Sequence, residues 1–297
     1  MLNVIRMELH RMVHSISFYV TLALCVAMCC GMMVSLTPNK NRSYEQPSGY
    51  YLVTDAEGRQ YRLSAEEVAE REAEWQNGDV QLRPLKYGEV ESVNPGAVAH
   101  FVGTADMFIG IFAALFAAGF YQSGFCKNVA GMLRHKYFIY VAQILCVILF
   151  SSVAVLLSAA GVVSIAAAAL HYFQFTGLPE FGKYLLGRYL LCCAIGSLSL
   201  FLTHLLRSNL FSIIYSVLLS TTLMSAIISL LNDRISALFS VDFDISHYFA
   251  SLYTYSFRFS SEGKDMTEML IHAAALSICA LVVYNGLGCL VLTKKDI

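Results

Sequence analysis

The chain has 297 residues, of which 57% are hydrophobic and 14% charged, and its mean hydropathy is +0.59. Soluble domains carry about 25% charged residues, so this much apolar surface excludes a single water-soluble core. A net charge of -1 leaves no overall footprint of a polyanion-binding protein, and the position of each charge matters more than the total.

A membrane-spanning helix needs about 20 mostly apolar residues, because backbone polar groups in lipid must be paired within the segment. Six stretches satisfy this, over about 16–36, 101–121, 138–170, 184–205, 210–231 and 269–292. The first follows Arg6 and Arg11, but it is too long for a signal-peptide core and Val34-Ser35-Leu36 is a poor cleavage site, so it reads as a retained helix. Within it, Cys25, Met28, Cys29, Cys30, Met32 and Met33 form a soft-ligand run suited to Cu(I) or simply to apolar packing.

Residues 37–100 form an acidic segment between the first two spans. Tyr50-Tyr51-Leu52-Val53-Thr54 and Arg59-Gln60-Tyr61-Arg62-Leu63 flank Asp55-Ala56-Glu57-Gly58, the pattern of a hairpin. Ser64 and Glu67 form a capping box, opening a helix that carries Glu66, Glu70, Glu72 and Glu74 and stops near Asn77-Gly78. Such a surface suits a gate or receptor for a cationic or amphipathic ligand; a solvated cap is the simpler reading, because acidic surfaces are common and favour solubility.

The second span carries Asp106 after His100, and an acid inside a span is a candidate substrate or proton site. A helix end open to water is the alternative. Gly110, Ala114 and Ala118 recur every fourth residue, a small-residue stripe for close helix contact within the subunit or at a dimer seam. Residues 122–136, between the second and third spans, are too apolar for a free loop and too charged for a span. Phe125, Val129, Met132 and Leu133 fall near helical spacing, which predicts a short amphipathic helix for docking a partner or lying on the membrane. Residues 232–268 mix aromatics with scattered charges, the texture of an interfacial or re-entrant segment. His171, His247 and His272 stand singly and suggest no metal site.

With six spans the two termini share one side. That side holds Arg6, Arg11, Lys127, Arg134, Lys136, Arg207, Lys294 and Lys295 against Glu8 and Asp296, which makes it cytoplasmic by the positive-inside rule. All nine cysteines lie in spans or on that side, leaving none for an external disulfide framework. The chain lacks Gly-x-x-x-x-Gly-Lys-Ser/Thr, His-Glu-x-x-His and Cys-x-x-Cys, so any ATP chemistry must come from a partner.

The run Gly124, Lys127-Asn128, Gly131, Arg134 and Lys136 before the third span resembles the intracellular coupling segment of type-2 ABC exporter permeases. Glu8 to Arg11 resembles that family's amphipathic entry helix, and Lys294-Lys295-Asp296-Ile297 its ending. Gln122-Ser123 and Gln143 stand where many members carry an acid and a lysine. The resemblance implies an all-α membrane protein of six transmembrane helices with a small α+β extracellular domain between helices 1 and 2. It also implies a multi-pass protein of the bacterial plasma membrane that moves a hydrophobic or amphipathic substrate such as a peptide. Two permease subunits, identical or paralogous, would pair, and cytosolic ABC ATPases holding ATP and Mg would dock on residues 122–136. The chain itself would have no catalytic residue, no cofactor and no nucleic-acid partner. A sensor with an extracellular ligand-binding domain is one alternative, and a membrane-embedded enzyme using Asp106 with His100 is another.

Overall fold

A computed structural model of the chain describes residues 2–54, 58–71, 80–90, 92–122, 136–219 and 264–294, together with residues 230 and 234. Helix α1 (Leu2–Val13) buries Val4, Glu8 and Met12, which are four residues apart and share one face, while Leu2 stays exposed. Val4 meets Phe120, Ile139 and Ala142 in one small apolar cluster, and this fastens α1 to the bundle.

Helix α2 (Ile16–Tyr44) buries only Thr21, Cys25, Cys29, Met33 and Thr37, again every fourth residue. Tyr19, Val20, Leu24 and Met28 lie exposed on its other faces, an arrangement suited to hydrocarbon. Sequence reading ends this helix near Leu36, but it runs on to Tyr44 through Pro38. Proline removes one helical hydrogen bond, and tertiary contacts beyond it compensate. Lys40 Nζ donates to the Ala97 carbonyl at 3.3 Å, and Asn41 Nδ2 donates to the Ala169 carbonyl at 3.0 Å.

Strands β1 (Pro47–Thr54) and β2 (Gln60–Ser64) form the expected antiparallel hairpin, with Tyr51 opposite Leu63 and Val53 opposite Tyr61. The expected turn at residues 55–57 lies outside the described residues; Gly58, which ends it, has φ 77°, the region glycine enters freely. The capping box is present: the Ser64 amide donates to Glu67 Oε2 at 2.8 Å, and the Glu67 amide donates to Ser64 Oγ at 3.3 Å. The Ser64 amide, with help from its hydroxyl, holds the Glu67 carboxyl below its usual range. Helix α3 covers Ala65–Arg71, and its expected continuation toward Gly78 lies outside the described residues. A third strand, β3 (Gln81–Lys86), pairs antiparallel with the other side of β1, giving the order β2-β1-β3. Sequence reading misses it because Pro84 argues against a strand; at a sheet edge the missing N–H faces away from the ladder. Val53, Leu63 and Val68 form this unit's own small core.

Two short helices, α4 (Tyr87–Val90) and α5 (Pro95–Val98), lead through a 3-10 turn (Ala99–Thr104) into α6 (Ala105–Gln122). Asn94 Oδ1 caps α5 by accepting from the Ala97 amide at 3.0 Å. Helices α7 (Tyr137–Ala169), α8 (Leu178–Leu206), α9 (Asn209–Leu219) and α10 (Lys264–Lys294) complete the bundle. Helix α6 is buried on nearly every side, and α8 forms much of its wall. Phe112 stacks on Phe150 with centroids 3.8 Å apart, and Phe18 meets Phe150 edge-on at 5.6 Å, so α2, α6 and α7 share one aromatic core.

The fold is mostly helical with a small three-stranded sheet. Among the described residues five helices are long and apolar enough to cross a membrane, over Ile16–Tyr44, Pro95–Gln122, Tyr137–Ala169, Leu178–Leu206 and Met266–Lys294. The fifth span expected from sequence is described only over its first part, as α9, and most of residues 232–268 lie outside the described residues.

The small-residue stripe lies inside the subunit. A Cβ on Gly110 would stand 2.5 Å from Ser216 Oγ and 2.6 Å from Ser216 Cβ, whereas one on Gly119 meets nothing within 4 Å. Gly110→Ala should therefore destabilise the chain by about 1–3 kcal/mol as α6 and α9 are forced apart. Gly119→Ala should be neutral or stabilising by up to about 1 kcal/mol; unfolding of both variants in detergent would check the contrast.

Candidate functional site

Two buried polar clusters lie near opposite ends of α6. In the first, Asp106 stands in the opening turn of α6, yet it is only 1% exposed because the 3-10 turn before it continues the apolar wall. Tyr184, Arg188 and Cys192 are four residues apart on α8 and so share the face turned toward it. Arg188 Nη1 approaches Asp106 Oδ2 at 3.3 Å, Arg188 Nε donates to the Tyr184 hydroxyl at 2.9 Å, and Cys192 Sγ donates to Asp106 Oδ1 at 2.9 Å. Gly103 makes room for the guanidinium, since a Cβ there would sit 2.9 Å from Arg188 Nη2.

This arrangement neutralises both charges and ties α6 to α8. Paired with Arg188 and Cys192, Asp106 is a cross-link rather than a free general base. His100 does not join it. Its exposed ring packs against Phe101 at 3.9 Å, so the acid–histidine pair considered from sequence is not assembled. Arg188 escaped sequence reading altogether, because apolar neighbours such as Leu185, Leu186, Leu190 and Leu191 outweigh one charge in any hydropathy average. Inspecting each ionisable residue within a span would have found it.

Close by, Cys29 Sγ lies 3.1 Å from Thr104 Oγ1 and Cys25 Sγ lies 3.5 Å from Ser158 Oγ. Cys25, Cys29 and Met33 face inward while Met28 is exposed, which divides the soft-ligand run between two sides of α2. No group of three or more His, Cys, Asp or Glu residues is placed to hold a metal ion among the described residues.

The second cluster joins α1 to the opposite end of the bundle. Arg11 Nη2 is 2.7 Å from Glu8 Oε2 and donates to the Phe116 carbonyl at 3.2 Å, with its guanidinium carbon 4.2 Å above the Phe116 ring. His204 on α8 is fully buried between two helices: its Nε2 lies 2.7 Å from Gln143 Oε1 on α7, and its Nδ1 lies 2.6 Å from the Tyr121 hydroxyl on α6. An amide oxygen only accepts, so Nε2 carries a proton, and in the neutral ring Nδ1 accepts from Tyr121. Beside this chain, Ser199 and Thr203 on α8 meet Ser216 and Ser212 on α9 at 2.5 and 2.8 Å, a ladder of interhelical hydroxyls.

Gly124, Lys127, Asn128, Gly131 and Arg134 lie outside the described residues. Lys136 is placed, half-buried at the N-terminal edge of α7. Gln122 and Lys136, which flank the other five in sequence, stand at the end of the bundle where α1 is fastened. Ala114 and Ala118 are buried on α6 with Gly110, and none of the three lies on an exposed face. No family model matches the chain, and comparison with curated proteins gives no match either. Fold and site together define a helical protein of the membrane-spanning type with two internal polar layers.

Removing one member of the Asp106–Arg188 pair leaves the other charged in an apolar wall, which should cost about 3–5 kcal/mol. Arg188→Met alone should be destabilised by that amount. The double variant Asp106→Leu with Arg188→Met should recover most of the loss, as read from unfolding in detergent.

Proposed function

We propose that the chain is the membrane-spanning permease subunit of an ATP-driven exporter of the type-2 ABC class. It would move a hydrophobic or amphipathic substrate such as a peptide, with ATP and Mg held by a separate cytosolic ATPase. One observation carries the reading: an amphipathic helix before the first span is clamped to the ends of α6 and α7, the two helices that bracket the basic segment 123–135. A force delivered to that segment would reach α6 and α7 directly, with α1 bracing them.

In this reading ATP-driven closure of two ATPases shifts the paired permeases between inward- and outward-facing states. Gly124, Lys127, Asn128, Gly131, Arg134 and Lys136 would form the docking surface, with Lys127 and Arg134 supplying charge. The sheet unit would stand on the far side of the bacterial plasma membrane, and both termini would be cytoplasmic. A second permease subunit, of the same chain or a paralogue, would complete the path.

Affinity purification of the tagged chain from its native membrane in mild detergent tests this. A stoichiometric P-loop ATPase is expected with the wild type and should be lost, or reduced at least tenfold, from a Lys127→Glu, Arg134→Glu variant. Recovery of the chain alone or with a kinase would overturn the permease reading in favour of a sensor.

A further inference from the structure

Glu8 is the buried glutamate of the described residues: it is 0% exposed, whereas the other described glutamates all reach solvent. It lies on α1, outside the apolar spans, and is enclosed by the ends of three of them. Arg11 touches Oε2 at 2.7 Å and Gln143 Nε2 faces the carboxyl, but neither contact has the alignment of a full hydrogen bond. Arg11 itself is shared with the Phe116 carbonyl and ring.

Among the described residues, the titratable and charged groups facing Glu8 are Arg11 on α1, Tyr121 on α6, Tyr140 and Cys146 on α7, and His204 on α8. His204 accepts from Tyr121 and donates to Gln143, the pattern of a neutral ring, so Arg11 is the one cation acting on Glu8 among these groups. A carboxylate so enclosed, with only these imperfectly aligned partners, is costly to keep ionised.

We propose that Glu8 is a proton-binding site whose occupancy is linked to the seating of α1: the carboxyl takes a proton from water as α1 docks on α6 and α7, and returns it as α1 lifts away. Burial raises the Glu8 carboxyl above the usual carboxylate range, with Arg11 and Gln143 opposing. The docked form therefore binds the proton more tightly than the lifted form. Docking is strongest below the ordinary carboxylate value and weakens by up to tenfold per pH unit as pH rises toward the raised value, beyond which it is flat. The neutral carboxyl also gains an O–H to offer Gln143. Turning that amide would reverse donor and acceptor along His204 and Tyr121, carrying the change to the end of α6.

The inference does not rest on the permease reading, and either can fail alone. Its test uses the full chain in phosphatidylcholine/phosphatidylglycerol nanodiscs. Infrared titration of wild type labelled with carbon-13 glutamate should show a protonated glutamic acid band persisting above the ordinary carboxylate range, absent from Glu8→Gln. Amide exchange of residues 2–13, corrected for intrinsic rates, should show wild-type protection falling by up to tenfold per pH unit in that window and Glu8→Gln protection staying high and flat. Absence of the band in wild type, or the same pH dependence in Glu8→Gln, would overturn the proposal; the infrared measurement on wild type needs no variant to fold.

Discussion

Inside this bundle a polar side chain has no water to turn to, and the need to find it a partner on another helix orders the structure. Asp106 and Arg188 meet this need across α6 and α8, and the hydroxyls of Ser199, Thr203, Ser212 and Ser216 meet it across α8 and α9. Apolar contact alone discriminates weakly between helix faces in a lipid solvent. Fixed polar pairs, together with the tight fit at Gly110, select one register.

The polar layers divide the molecule by depth. Asp106 and Tyr121 are separated by most of α6, about 22 Å at 1.5 Å per residue, with the stacked Phe112 and Phe150 between them. The aromatic core between the two layers packs α2, α6 and α7 together, while the hydroxyls of Ser199, Thr203, Ser212 and Ser216 join α8 to α9 beside it. The lower-numbered end of the chain supplies a brace to one layer through α1. The sheet unit is tied to the other end, where Lys40 and Asn41 of the extended α2 reach the carbonyls of Ala97 and Ala169.

That extension of α2 shows how tertiary context overrides a local signal. Thr37-Pro38-Asn39 reads as a terminus, and proline does remove a backbone donor. The helix nevertheless continues because the residues beyond Pro38 gain partners on two other elements. The edge strand β3 is a parallel case: Pro84 weakens the strand signal locally, while an edge position makes its missing donor harmless.

Apolar length alone determined the long helices, since every backbone group in lipid must be paired within its own segment. Alternation and a capping box likewise determined the β1–β2 hairpin and the start of α3. Asp106 was legible as a residue of interest, but its partners Arg188 and Cys192 lie more than 80 positions away and no period or motif links them. The Glu8–Arg11 pair was legible as charge in an entry helix. Its enclosure by Gln143, His204 and Tyr121 was decided by tertiary structure, because burial depends on what other helices bring to the same place and one-dimensional spacing does not encode it.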